Sequence, residues 1–126
     1  MENLTLEATN STPEIQANYS NNTIEIRGKS YPENTFEFYQ PLMDWVEAYF
    51  KTDQTKLKLT FEIQYFNSST SKVFYDLFDL LEESRTNGKS IVVDWEFDPE
   101  NVSAEEAGED FKEDFEDMEI NLVGKP

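Results

Sequence analysis

Between Lys56 and Phe66 the chain reads KLKLTFEIQYF, with Leu57, Leu59, Phe61, Ile63 and Tyr65 apolar and most residues between them polar. Alternation over this length fits a β-strand with one face in a core and the other toward solvent. A chain holding such a strand must also supply something apolar to cover it. The segment that follows does so. Val73, Phe74, Leu77, Phe78, Leu80 and Leu81 recur at helical spacing, and the pattern stops near Asn87-Gly88, a common helix C-cap.

The same reading extends in both directions. PEIQANYSNNTIEIRGKS predicts two short strands around a turn at residues 18–22, with Ile24 and Ile26 alternating against Thr23, Glu25 and Arg27. Tyr31-Pro32-Glu33-Asn34 breaks the pattern, and Asn34 with Glu37 three residues later resembles a capping pair. Phe38, Tyr39, Leu42, Met43, Val46, Tyr49 and Phe50 then form a helical stripe. Pro41 either kinks that helix or lies in its first turn. SIVVDWEF, from Ser90, predicts a central strand covered on both faces, because its apolar start is continuous. Residues 100–116 predict an acidic helix with Val102, Ala107, Phe111 and Phe115 facing inward, and MEINLV predicts a last strand. The order ββαβαβαβ implies an α/β fold, one mixed sheet of about five strands with three helices. Residues 1–12 read as a loose leader, and 13–126 as a single domain.

Composition narrows the function. Ten Phe, six Tyr and two Trp can fill a core, to which Trp45, Trp95, Phe61, Phe74 and Phe78 are assigned. There is no His and no Cys, which excludes zinc sites of those ligands, thiol nucleophiles and any triad with an imidazole base. The four glycines form no phosphate-cradling loop. Asp94, Glu96, Asp98, Glu100 and Glu105 fall near the spacing of a calcium loop, but Pro99 stands where that loop needs glycine. No metal, no cofactor and no enzymatic activity are expected.

The net charge of −17 opposes nucleic acid and anionic membranes as partners. Residues 94–119 hold thirteen acidic residues and one basic residue, which reads as a solvated surface or as a contact for a basic protein partner. The N-terminal residues lack the basic and apolar regions of a signal peptide. No run reaches the roughly 18 apolar residues of a membrane span. Without cysteine, the chain suits the cytoplasm.

One stretch exceeds structural need. Asn67 is followed by Ser68, Ser69, Thr70 and Ser71, then Lys72, where the best strand hands over to a helix. Capping requires one such residue. The other reading is phosphorylation, since a phosphoryl group at a helix start meets free N–H groups and the positive end of the helix dipole.

Several pieces recur in order over nearly the whole chain. They are Ser11-Thr12-Pro13-x-Ile15, Gly28-x-Ser30-Tyr31-Pro32-Glu33-Asn34, Asp44-Trp45-Val46-Glu47, Tyr65-x-Asn67-Ser68-Ser69-x-x-Lys72, Leu77-x-Asp79-Leu80-Leu81-Glu82-Glu83, and the Trp95 strand before an acidic helix. In these the chain resembles the SiaC family of bacterial regulatory phosphoproteins. The resemblance implies a fold like the anti-sigma-factor antagonist (STAS) domains and a role in a partner-switching circuit. It implies reversible phosphorylation by a dedicated kinase and a PP2C-type phosphatase. It also implies that the unmodified form activates a diguanylate cyclase, raising cyclic di-GMP and favouring biofilm. The acceptor position, usually threonine in the family, falls on Ser68, with Ser69 and Thr70 as fallbacks. Tyr31, Pro32, Glu33, Asn34, Asn67, Ser69 and Lys72 are the expected partner-binding residues. The rival expectation is an acidic interaction domain whose binding ignores phosphorylation.

Overall fold

A computed structural model covers residues 1–126. The strands are β1 (Leu4–Leu6), β2 (Glu14–Asn18), β3 (Thr23–Ser30), β4 (Lys56–Phe66), β5 (Ser90–Phe97) and β6 (Glu119–Gly124). The helices are α1 (Thr35–Phe50), α2 (Ser68–Thr86) and α3 (Val102–Asp114). All six strands join one mixed sheet in chain order. β1, β2 and β3 pair antiparallel; β3 through β6 pair parallel.

The expected α/β architecture stands, with six strands instead of about five. The extra strand lies in the segment read as a leader. Three residues are too short for a period to show, yet Leu4 pairs with Ala17 and Leu6 with Ile15. The segment is also tied across the fold, since Trp45 Nε1 donates to Glu2 O at 2.8 Å and Tyr19 N donates to Asn3 Oδ1 at 2.9 Å. α1 runs through Pro41, which sits exposed where the carbonyl left without its N–H partner can meet water.

Each parallel step moves one place in the same direction, so right-handed crossovers set α1, α2 and α3 on one face. Burial agrees with this. Ile15, Ile26, Phe61, Trp95 and Leu122 are register neighbours across the sheet, as are Ala17, Ile24, Leu59, Val93 and Ile120. Of these only Leu122 is not fully buried. The expectation that β5 is covered on both faces is therefore corrected. Its position is central, but Val92, Asp94 and Glu96 lie on a polar face with no helix over it.

Arg27 is the centre of that open face. It meets Glu96 at 2.8 Å and Glu25 and Glu62 at 3.0 Å. Lys125 adds contacts to Glu96 at 3.0 Å and Glu62 at 3.3 Å, and Lys58 reaches Asp94 at 3.2 Å. The hydrogen bond to Glu96 is the main reason the Arg27 guanidinium is held still more firmly protonated than usual. Burial works to raise the Glu96 carboxyl, but hydrogen bonds from Arg27 and Lys125 outweigh it and leave it below its ordinary value. The acids of the calcium-like run are thus divided, Asp94 and Glu96 being engaged by Lys58, Arg27 and Lys125 on this face. No three of the chain's acidic residues converge as a metal site would need.

On the covered face Trp95 is fully buried. It stacks on Phe61, meets Phe111 at 5.3 Å, and donates from Nε1 to Ala104 O at 2.8 Å. Gly108 makes room for it: a Cβ there would lie 2.5 Å from Trp95 Cδ1 and 2.8 Å from Leu122 Cδ2. The inward face of α3 is therefore Ala104, Gly108 and Phe111, whereas Val102, expected inward, is 59% exposed.

Two outcomes follow. Gly108→Ala gains about 1 kcal/mol of helix propensity, but overpacking against a fixed Trp95 costs about 1–3 kcal/mol. We expect a lower urea midpoint and an altered Trp near-UV spectrum. Glu96→Gln is expected to lose about 1 kcal/mol at pH 7. A carboxyl lowered by folding stabilises above its unfolded pKa of about 4.3 and loses that contribution as pH falls through the folded value. The gap between Glu96→Gln and the unsubstituted chain should accordingly close as urea melts are taken from neutral to acidic pH.

Candidate functional site

The carboxyl ends of β3, β4 and β5 lie along one edge of the sheet, and each leads into a helix capped by asparagine. Asn34 Oδ1 accepts from Glu37 N at 3.2 Å, Asn67 Oδ1 from Thr70 N at 2.9 Å, and Asn101 Oδ1 from Ala104 N at 3.1 Å. The expected Asn34–Glu37 pair is present, tightened by Asn34 Nδ2 donating to Glu37 Oε2 at 2.9 Å. In open α/β sheets this edge is where ligands and partners are met.

A single extra residue shapes the edge. β3 and β4 pair in step until Gly28 meets Ile63; the next pairs are Lys29 with Tyr65 and Ser30 with Phe66. Gln64 is the residue left over, and its carbonyl accepts from Asn101 Nδ2 at 3.0 Å. A bulge reverses the faces of everything after it. Tyr65, expected to continue the buried row, is instead 54% exposed, and Phe66 turns in against Phe74 and Trp95. The Tyr65 ring meets Tyr31, itself 42% exposed, edge to face at 5.9 Å.

The same pairing joins the two loops that carry the expected site residues. Asn67 N donates to Ser30 O at 3.0 Å, and Tyr31 N donates to Ser11 O at 2.8 Å. The Tyr31–Asn34 loop and the Asn67–Ser69 turn therefore leave the sheet from adjacent strand ends. Lys72, one turn beyond Ser68 and exposed, places Nζ 5.7 Å over the ring of Phe36, which is 53% exposed. Two aromatic residues of this edge escaped sequence reasoning. Tyr65 was hidden by its apparent place in an alternating strand. Phe36 had a usable signal, since it precedes and stands apart from the apolar stripe of α1.

The four hydroxyls separate sharply. Ser68 and Ser69 are exposed, and Ser71 is half-buried. Thr70 is wholly buried, with its Oγ1 2.8 Å from Ser30 Oγ and 3.2 Å from Ser30 O, and Ser30 Oγ lies 2.6 Å from the Tyr39 hydroxyl. Burial pushes the Tyr39 phenol up, partly opposed by its bond with Ser30, so the cluster stays neutral. As a fallback acceptor Thr70 is corrected: its hydroxyl is inside the protein and already bonded. Asn34 and Asn67 are likewise occupied as caps.

Charge along the edge is uneven. α1 carries Glu37 and α3 carries Glu105 in the first turn, whereas α2 has no acidic residue there. In a chain of net charge −17, the turn presenting Ser68 is thus left with its N-terminal dipole uncompensated by any carboxylate of its own.

Comparison with known proteins agrees with this geometry. A family model described as "SiaC family regulatory phosphoprotein" matches residues 6–125. The chain belongs to the SiaC family. An uncharacterised protein of Pseudomonas aeruginosa is 36% identical over 114 residues, covering 90% of each chain. The crystal structure of apo-SiaC from Pseudomonas aeruginosa superposes with a TM-score of 0.93 at 34% identity, over 98% of this chain and 100% of that one. A second match is to a chain in the structure of the diguanylate cyclase SiaD in complex with its activator SiaC, from the same organism. It has a TM-score of 0.92 and 33% identity, over 97% of this chain and 99% of that one. The chain is thus a SiaC-family regulatory protein with the fold of SiaC, and none of its helices is long and apolar enough to cross a membrane.

The bulge supplies its own test. Tyr65→Ala should change stability by no more than about 0.5–1 kcal/mol, while Phe66→Ala should cost about 2–4 kcal/mol. Uninterrupted alternation would give the reverse order in denaturant melts.

Proposed function

We propose that this protein is a non-enzymatic switch whose unmodified form binds and activates a diguanylate cyclase, and which phosphorylation of Ser68 releases. A cognate protein kinase adds the phosphoryl group, and a PP2C-type phosphatase removes it. The observation that carries the reading is the placement of Ser68: exposed, first in α2, three residues after the exposed Tyr65 at the same end of β4, and in the one helix start without a carboxylate of its own. Support for the partner comes from the relative, since Pseudomonas aeruginosa SiaC is described as the activator of SiaD.

The chemistry fits a charge switch. Exposed aromatic side chains clustered on one edge favour a protein partner, because Tyr and Phe bury large areas on docking. A phosphoryl group adds about −1.5 to −2 charge at pH 7. The free N–H groups of α2 receive it without strain in the unbound protein. In the complex the same dianion must be desolvated within the interface, which opposes docking. Lys72 is a cation on the same helix face, near enough to a phosphate to moderate this effect but not to cancel it. The surrounding −17 of the molecule adds to the repulsion of any acidic partner surface.

Co-expression with the cognate kinase, followed by intact-mass and peptide fragmentation measurements, should place one phosphoryl group on Ser68 and none on Ser68→Ala. In titration against the cyclase, the modified protein should bind at least about tenfold more weakly, a loss of about 1.4 kcal/mol. Tyr65→Ala should also weaken binding while leaving the melting temperature nearly unchanged. Modified protein that binds as tightly as unmodified protein would reject the charge mechanism. Binding that collapses with salt yet ignores the state of Ser68 would favour a phosphorylation-independent acidic interaction domain.

A further inference from the structure

We propose that Thr70 is the positioning residue that selects which hydroxyl of the run is presented for modification, an inference that rests on the switch reading above. Four hydroxylated residues in succession offer an enzyme several acceptors, and Asn67 alone does not choose among them. Its cap fixes where the helix begins, through Thr70 N and through Ser71 N donating to Asn67 O at 3.0 Å. It does not fix how firmly that first turn is held against the sheet.

Thr70 supplies the hold. Successive helical residues are about 100° apart, so the residue two before Thr70 points nearly opposite to it. With Thr70 fully inside, Ser68 faces most directly outward, Ser69 leans to one side, and Ser71 leans to the other, where it is half-buried. The anchor is specific in two ways. Its hydroxyl meets both Ser30 Oγ and Ser30 O, and Ser30 is itself held by Tyr39 from α1. Its methyl is buried as well, since none of the residue is exposed. Ser69 or Ser71 slipped into the same slot would satisfy the hydroxyl bonds and leave the methyl volume empty. Thr70 is therefore the member of the run that only one register accommodates.

This assigns the hydroxyl chain Thr70–Ser30–Tyr39 a role beyond packing. It ties the acceptor turn to the end of β3, from which Tyr31 projects, so acceptor and docking aromatic hold a constant relation. Thr70 itself touches no reacting atom in this scheme and acts only through the turn that carries Ser68.

The test uses the whole chain with its cognate kinase, comparing the unsubstituted protein with Thr70→Val, Thr70→Ser and Ser30→Ala. Readouts are the distribution of phosphate between Ser68 and Ser69, kcat and KM taken separately, and the thermal melt. Thr70→Val keeps the shape and removes the hydroxyl. It should lower kcat/KM by about tenfold or more, chiefly in kcat, and let phosphate appear on Ser69. Ser30→Ala should shift the distribution in the same direction, and Thr70→Ser, which keeps the hydroxyl bonds but empties the methyl volume, should also lose exclusive modification of Ser68. Thr70→Val modified on Ser68 alone at the unsubstituted kcat/KM would overturn the proposal. If Thr70→Val lacks a cooperative melt, Ser30→Ala and Tyr39→Phe decide by the same measure, and exclusive Ser68 modification at full rate in both would overturn it. Absence of phosphate from the unsubstituted chain overturns the switch reading instead, and this inference with it.

Discussion

The pairing of β3 with β4 is the constraint on which the rest of this molecule turns. Upstream of Gln64 the two strands hold the covered face in register, so that Ile24 meets Leu59 and Ile26 meets Phe61. Downstream, one inserted residue inverts β4 alone while β3 keeps its phase, and Ser30 stays buried. That asymmetry turns Phe66 toward Trp95 and Phe74, frees Tyr65 to meet Tyr31, and delivers Asn67 against the Ser30 carbonyl. The core, the exposed aromatic edge and the start of α2 all take their positions from it.

The two faces of the sheet solve different problems. The covered face is an aromatic layer in which Phe61, Trp95, Phe78 and Phe111 pack, three pairs stacked and Trp95–Phe111 tilted, at centroid distances between 4.6 and 5.5 Å. The close approach of α3 depends on Gly108 having no side chain to oppose Trp95. The open face instead arranges scarce cations among abundant acids. Arg27, Lys58 and Lys125 between them engage Glu25, Glu62, Asp94 and Glu96, which allows a strongly anionic chain to set acidic side chains on neighbouring strands. Such surface pairs stabilise little individually; their value here is relief of like-charge repulsion.

Much of this was legible in the sequence because period-2 and period-3.6 patterns report directly on burial. β2 to β6 and all three helices follow from them. What escaped follows from interactions without a local signature. Leu4–Leu6 is too short to show a period and is a strand only because β2 offers a free edge. Gln64 looks like any outward residue of an alternating strand, so nothing in its neighbourhood marks a bulge. Val92 follows Ile91 as though buried, but no chain segment crosses that face to cover it. The site was legible in part: the hydroxyl run, the Tyr31–Asn34 loop and Lys72 were visible, and the structure gathers them at one edge. Which hydroxyl faces inward was not, because that depends on Ser30 and Tyr39, 40 and 31 residues away in the chain.

The carboxylate-free first turn of α2 has a consequence for how such a molecule can evolve. Under the proposed switch, an anion added there would meet unpaired N–H groups and a favourable dipole, at little cost to the fold. The free energy of the proposed modification would then be expressed mainly in who binds. Affinity for a partner and resistance to unfolding become separately adjustable quantities, and lineages can retune one through the aromatic edge without revisiting the other.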